Sequence, residues 1–191
     1  MHQVQIHSEP DLTESQVKAI VTLVNSIWPD KDKTISELIA DWLAQIRQMQ
    51  KSKSGKDGNH ATHFLISEGN KAIAHARIFP REIYTPDGLL KVAALASACV
   101  DANHRGEGLG AAVVRCAFEM VDRGTFPVSL FQTGVPGFYE RLGARSVDNK
   151  FVNSGCDKDA EASPWWDKYV MIYPGEYPWP EGTIDLNGPG Y

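Results

Sequence analysis

Cysteine is scarce in this 191-residue chain: three residues, Cys99, Cys116 and Cys156, an odd number at wide spacings. That excludes a disulfide framework and a paired thiolate metal site. A basic block is missing as well. The 19 Lys and Arg stand against 24 Asp and Glu, for a net charge of −5, so no nucleic-acid groove is expected. No apolar run approaches the roughly 20 residues that a spanning helix needs; the longest, Val92–Val100, is interrupted by Ser97. The first ten residues have neither a basic nor an apolar signal region, which predicts a cytoplasmic protein without a membrane partner. Gly (16) and Pro (11) stand at ordinary levels, so collagenous and disordered classes fall away.

What is there suits one domain over 1–191, with 42% hydrophobic residues to fill a core. Val4–Ile6 alternates as a short strand. Thr13 followed by Gln16 is a capping-box pattern, and Val17, Ile20, Val21, Val24, Ile27 and Trp28 share one face of the helix it opens, which Pro29 ends. Ile35, Leu38, Ile39, Trp42, Leu43, Ile46 and Met49 recur at spacings of three and four, a second helix, and Gln50–Asn59 is a polar loop. The period then changes. His63–Ile66, Ala72–Tyr84 and Leu89–Val100 read as three strands joined by short turns at Glu68–Asn70 and Pro86–Gly88. The last of them is almost wholly apolar and belongs in the middle of a sheet. A helix follows from Leu109 to Val121, then a strand at Val128–Phe131, a short helix at Phe138–Leu142 and a strand at Lys168–Tyr173. Residues 174–191, rich in Pro, Gly and aromatics, show no period and are expected as an ordered arm packed on the surface.

The chemistry is carried where a central strand runs into a glycine-rich turn at a helix start. Unpaired N–H groups of a first helical turn attract phosphate oxygens, aided by the helix dipole. Gly106, Gly108 and Gly110 let such a group approach, and Arg105 adds a cation at the rim. A Walker loop is absent, since no Lys-Ser or Lys-Thr follows. Gly106, Gly108 and Ala111 match a dinucleotide fingerprint, but that turn should follow the first strand of a repeated strand-helix unit, and this one follows a meander. The remaining reading is the pyrophosphate of coenzyme A.

Arg105-Gly106-Glu107-Gly108-Leu109-Gly110 resembles the [RQ]-x-x-G-x-[GA] segment of the GCN5-related N-acetyltransferase (GNAT) family, preceded by a strand end at Val100. Phe138-Tyr139-Glu140-Arg141-Leu142-Gly143-Ala144 resembles that family's F-Y-x-x-L-G-F box, departing at Ala144, where the family often has an aromatic. The order of elements is also similar, over about Gln3–Tyr173. The resemblance implies an α/β fold around a mixed, mostly antiparallel sheet flanked by helices. It implies acetyl-CoA as co-substrate and a small-molecule primary amine as acceptor, attacking directly in a ternary complex. Carried over by position, Ala98, Cys99 and Val100 would offer backbone groups to the pantetheine arm. Arg105, Gly106, Glu107, Gly108, Leu109, Gly110 and Ala111 would cradle the pyrophosphate, and Tyr139 would protonate the leaving thiolate. A thiol titrates near 8.5 and a phenol near 10, so that donation is only slightly uphill. The competing reading is an acyl-CoA-binding sensor of the same fold without turnover. A homodimer stays open.

For the general base, Glu82 late in the third strand is the first candidate and Asp101 the second, ahead of Glu68, His75, Asp167 and the terminal carboxylate of Tyr191. His60 and His63 have metal-ligand spacing but no evident third ligand, so no metal is expected. Cys99 reads as a small buried hydrophobe.

Overall fold

The computed structural model describes residues 2–51, 60–155 and 163–191. Its elements are β1 (Gln5–Ser8), α1 (Glu14–Ile27), α2 (Ile35–Lys51), β2 (Thr62–Glu68), β3 (Lys71–Thr85), β4 (Gly88–Val100), α3 (Leu109–Asp122), β5 (Ser129–Thr133), α4 (Pro136–Glu140), β6 (Arg145–Val147), β7 (Lys150–Val152), β8 (Tyr169–Tyr173) and β9 (Thr183–Asp185). Pairs β1–β2, β2–β3, β5–β8, β6–β8 and β3–β9 are antiparallel; β4–β5 and β7–β9 are parallel. The expected mixed, mostly antiparallel sheet with helices is therefore the architecture found. The polar loop expected at Gln50–Asn59 lies, from residue 52 on, outside the described residues, as does Cys156. The chain forms two compact units, Met1–Phe79 with Ser97–Ala117, and Pro80–Ala96 with Phe118–Tyr191.

In the first unit the capping box forms as the sequence predicts. The Thr13 hydroxyl accepts from Gln16 N, and Thr13 N donates to Gln16 Oε1 across 2.9 Å. α1 buries Val17, Ile20, Val21 and Leu23 against Leu12, Ile46, Leu65, Ala72 and Cys99. Each such side chain contributes about 1.5–3 kcal/mol when fully buried. Both helices depart from the helical-face reading. Trp28, at the C-cap of α1, is 53% exposed, and in α2 only Ile46 is fully buried. Leu38, Ile39, Trp42 and Leu43 of α2 pack partly against the core, two of them, Leu38 and Trp42, also border a cavity, and Ile35 is exposed.

The second unit is filled with large side chains. Leu130, Ile172 and Ile184 are fully buried beside Phe151 and Trp165, with Tyr177, Trp179 and Tyr191 packed against them. Phe118 stacks flat on Tyr173, centroids 3.8 Å apart, and the Tyr173 hydroxyl donates to Asp122 Oδ1. Strands β6, β7 and β9 are three residues each, too short to show an alternation in sequence. β9 lies within the segment expected as a surface arm. Ile184 and Leu186 are wholly buried there, so the arm supplies core as well as cover.

Candidate functional site

The glycine turn is built from the end of β4. Asp101 N donates to Ile73 O at 2.9 Å, which holds the strand end down. The Asp101 carboxylate then accepts from Asn103 N at 3.0 Å and from His104 Nδ1 at 3.2 Å, and pairs with Lys71 Nζ at 2.7 Å. Lys71 first, then the Asn103 amide and His104, hold this carboxyl well below the usual carboxylate range. A carboxylate so committed is a poor proton acceptor, and Asp101 drops out as a base.

Gly106 and Gly108 both have left-handed backbone, φ +87° and +79°. A Cβ at either would meet nothing within 4 Å. Conformation, not crowding, thus requires glycine here, and the space before the loop is open to an oxygen-rich group. α3 starts at once: Ala112 N donates to Gly108 O at 3.0 Å, leaving the N–H groups of Leu109, Gly110 and Ala111 ahead of the first intrahelical bond. Leu109 is buried and, with Val113 and Val114, pins the helix start, while Arg105 and Glu107 are exposed. These residues fit a pyrophosphate cradle.

Upstream, within β4, Ser97 is a non-glycine with left-handed backbone, φ +52°. Ala98 and Val100 are half-buried around the buried Cys99. Burial pushes the Cys99 thiol up to about 12, so it is no nucleophile.

The Ser97 carbonyl can only accept, so the hydrogen on the His75 ring must sit on Nδ1, 3.2 Å away. Burial lowers His75 to about 3; the ring is neutral and its Nε2 is an acceptor. His63 Nδ1, 3.0 Å from that Nε2, is then the donor. Burial first, then His75 and Arg77, lower His63 to about 2, and its Nε2 is buried without a partner. The expected weak base His75 is thus spent on the backbone, and His63 is tied to His75 and not to His60. Among the described residues no group of three metal-binding side chains occurs.

Both histidines line a cavity of about 400 Å³ in the first unit, with Arg77 and Ser97 beside them, Trp28 and Trp42 on its helix side, and Asp30, Lys33 and Asp41 among its remaining lining. Glu9, nearly buried, accepts from Trp42 Nε1 at 2.8 Å. The sequence reading missed Arg77 and this cavity. The available signal was three polar residues, His63, His75 and Arg77, at inward positions of strands that are otherwise apolar.

Tyr139 and Glu82 belong to the second unit. Tyr139 is buried in α4, its ring tilted on Phe131 at 4.7 Å and edge-on to Phe138 at 4.8 Å. Its carbonyl accepts from both Leu142 N and Ala144 N, so the small Ala144 sits in a closed turn. Glu82 is exposed on β3, next to the buried Ile83. Glu68 lies 3.5 Å from His104 Nε2 and 3.6 Å from His2 Nε2. Asp167 N donates to Gln132 Oε1 at 2.8 Å, and the terminal Tyr191 O accepts from Gln132 Nε2 at 3.0 Å. No described helix is long and apolar enough to cross a membrane.

A family model described as an acetyltransferase (GNAT) domain matches residues 10–147. No curated protein matches the chain. Among solved structures, a GCN5-related N-acetyltransferase from Kribbella flavida is 18% identical with a TM-score of 0.56, over 76% of this chain and 33% of that one. The present chain therefore spans about a third of the Kribbella protein. The GNAT family N-acetyltransferase YhbS from Escherichia coli, solved in complex with CoA, is 13% identical with a TM-score of 0.59, over 97% of this chain and 89% of its own. An acyl-CoA N-acyltransferase from Pseudomonas aeruginosa is 14% identical with a TM-score of 0.52, over 90% and 97%. At these identities the likeness is one of fold.

Proposed function

The chain belongs to the GNAT acetyltransferase family, and we propose that it transfers acetyl from acetyl-CoA to a primary amine by direct attack in a ternary complex. The observation that supports this most is the loop at Gly106 and Gly108, left-handed, open in front, and set at the head of α3. In this reading Arg105, Gly106, Glu107, Gly108, Leu109, Gly110 and Ala111 receive the pyrophosphate, and Ala98, Cys99 and Val100 offer main-chain groups to the pantetheine arm. The amine nitrogen attacks the thioester carbon, the C–S bond breaks, one proton leaves nitrogen and one reaches sulfur. Tyr139 supplies the second proton. Glu82 receives the first, with Asp101 and His75 both engaged elsewhere.

The test is Gly108→Glu, which puts a side chain and a negative charge into the cradle. The acetyl-CoA Kd should rise at least about tenfold, or 1.4 kcal/mol. Calorimetry on a folded variant that still binds normally would remove the cradle. Thiol release from acetyl-CoA with a panel of amines checks turnover; binding with no release for any amine would leave a sensor.

A further inference from the structure

Arg77 is the one guanidinium that lines the cavity. It sits on β3 directly across from His63, and its Nε is buried with no hydrogen-bond partner. Its guanidinium lies over the face of Phe79, with the ring centroid 5.3 Å from Cζ. Burial lowers Arg77 from its ordinary value, and Glu9 opposes this only through space, because the Glu9 carboxylate accepts from Trp42 Nε1 instead. The other charges of the cavity are matched. Lys33 pairs with Asp41 at 2.8 Å, and Asp30 accepts from the amides of Asp32 and Lys33. Both histidines are neutral and add no second positive charge beside Arg77.

A largely buried cation without a hydrogen-bonded anion is costly, and the volume beside it is of small-molecule size. Ser97 lies on the same cavity, immediately before Ala98–Val100. Resting on the acetyltransfer reading, which puts the thioester along that segment, we propose that the acceptor is an amine bearing an anionic oxygen group, carboxylate or phosphate. Arg77 binds that group and the amine points toward Ser97. A planar fork of N–H donors suits either oxyanion. The lone pair left on His63 Nε2 accepts from any N–H or O–H brought beside Arg77.

Three probes of similar length test this on the CoA-bound protein by calorimetry: 3-aminopropanoate, 2-aminoethyl phosphate and propylamine. At least one anionic probe should bind about tenfold or more tighter than propylamine, the gain of one charge-assisted contact. Which of the two does so identifies the oxyanion. Arg77→Gln should erase the difference. Arg77→Lys, which keeps charge without the fork, should shrink it and serves if Arg77→Gln does not fold. No preference for either anionic probe, or one that survives both variants, overturns the proposal. Thiol release in parallel samples that hold acetyl-CoA in place of CoA separates the two readings. Selective binding without release keeps the cavity and ends acetyl transfer; release as fast with propylamine as with the anionic amines keeps acetyl transfer and ends the role of Arg77.

Discussion

Two arginines on one strand, four residues apart, are treated in opposite ways. In the first unit Arg77 has a buried Nε with no partner. In the second, Arg81 donates to Leu186 O from Nε and from Nη2, at 3.0 and 2.9 Å, and to Pro189 O from Nη1 at 2.7 Å, with its guanidinium over the Tyr191 ring. The same contrast extends to neighbours. Gln132 accepts from Trp166 N and Asp167 N while donating to Tyr191 O. Asn149 donates to Pro180 O and Gly182 O and accepts from Trp179 Nε1. Polar side chains of the second unit are spent on irregular main chain, which a loop-rich tail needs. Under the cavity Arg77 Nε and His63 Nε2 are left unsatisfied, and an unpaired buried group costs about 1–3 kcal/mol unless a ligand completes it. Trp165 Nε1, buried and unpaired in the second unit, departs from the pattern.

The largest test concerns the tail as structure. Ile184→Ala removes a fully buried side chain from β9 and should cost about 2–5 kcal/mol in denaturant unfolding. A loss under 1 kcal/mol would return 174–191 to the role of a surface strap and dissolve the contrast.

Tyr139 asks whether the filled unit also carries chemistry. Tyr139→Phe keeps the ring against Phe131 and Phe138, so folding and acetyl-CoA affinity should hold while kcat falls about 100-fold, the low end for one general acid. A kcat within about threefold of wild type would make Tyr139 packing alone.

Acid should find the first unit first. His63 and His75 have folded pKa values of about 2 and about 3, below the ordinary 6.5. The unfolded chain therefore binds protons that the folded one refuses, and stability falls as pH drops below about 6.5. The slope approaches about 1.4 kcal/mol per pH unit for each histidine. Asp101 acts in a separate window. Its folded pKa is depressed, so its contribution is present above the ordinary carboxylate range and lost only below it. Unfolding free energies measured from pH 7 to 4.5 should fall, and should flatten in His63→Gln/His75→Gln. A flat wild-type profile would mean that the pair is hydrated.

Local signals carried most of the fold. The capping box at Thr13, the turns around Gly69 and Gly88 and the long apolar β4 each depend on neighbours in sequence, and each appears where it was read. The glycine turn was equally legible, because left-handed backbone at Gly106 and Gly108 is a local demand. The tail was not. β9 exists because it pairs with β7 and with Tyr84 of β3, far away in sequence, and Arg81 and Gln132 hold the main chain that follows it, which has no period of its own. The cavity was hidden for a related reason: α2 has the apolar spacing of a buried helix, and only the structure shows that part of that face borders space. His75, read as a weak base, is identified as a backbone donor only by the distance to Ser97 O.

The smallest effect is the sharpest test of the two arginines. Arg81→Met leaves the carbonyls of Leu186 and Pro189 without their donors. The site is half-exposed, so water recovers part of the loss, and the cost should be about 1–2 kcal/mol, read as a lower Tm. Arg77→Met keeps a comparable aliphatic stem and removes a largely buried cation that, among the described residues, no ion pair neutralises. Replacing a poorly compensated buried charge by an apolar side chain is neutral or stabilising, so Tm should stay level or rise. Opposite signs for the same substitution, four residues apart on β3, are what a structural arginine and a ligand-binding arginine predict. If both variants lose stability alike, Arg77 holds the fold as Arg81 does, and the cavity has no cation reserved for a ligand.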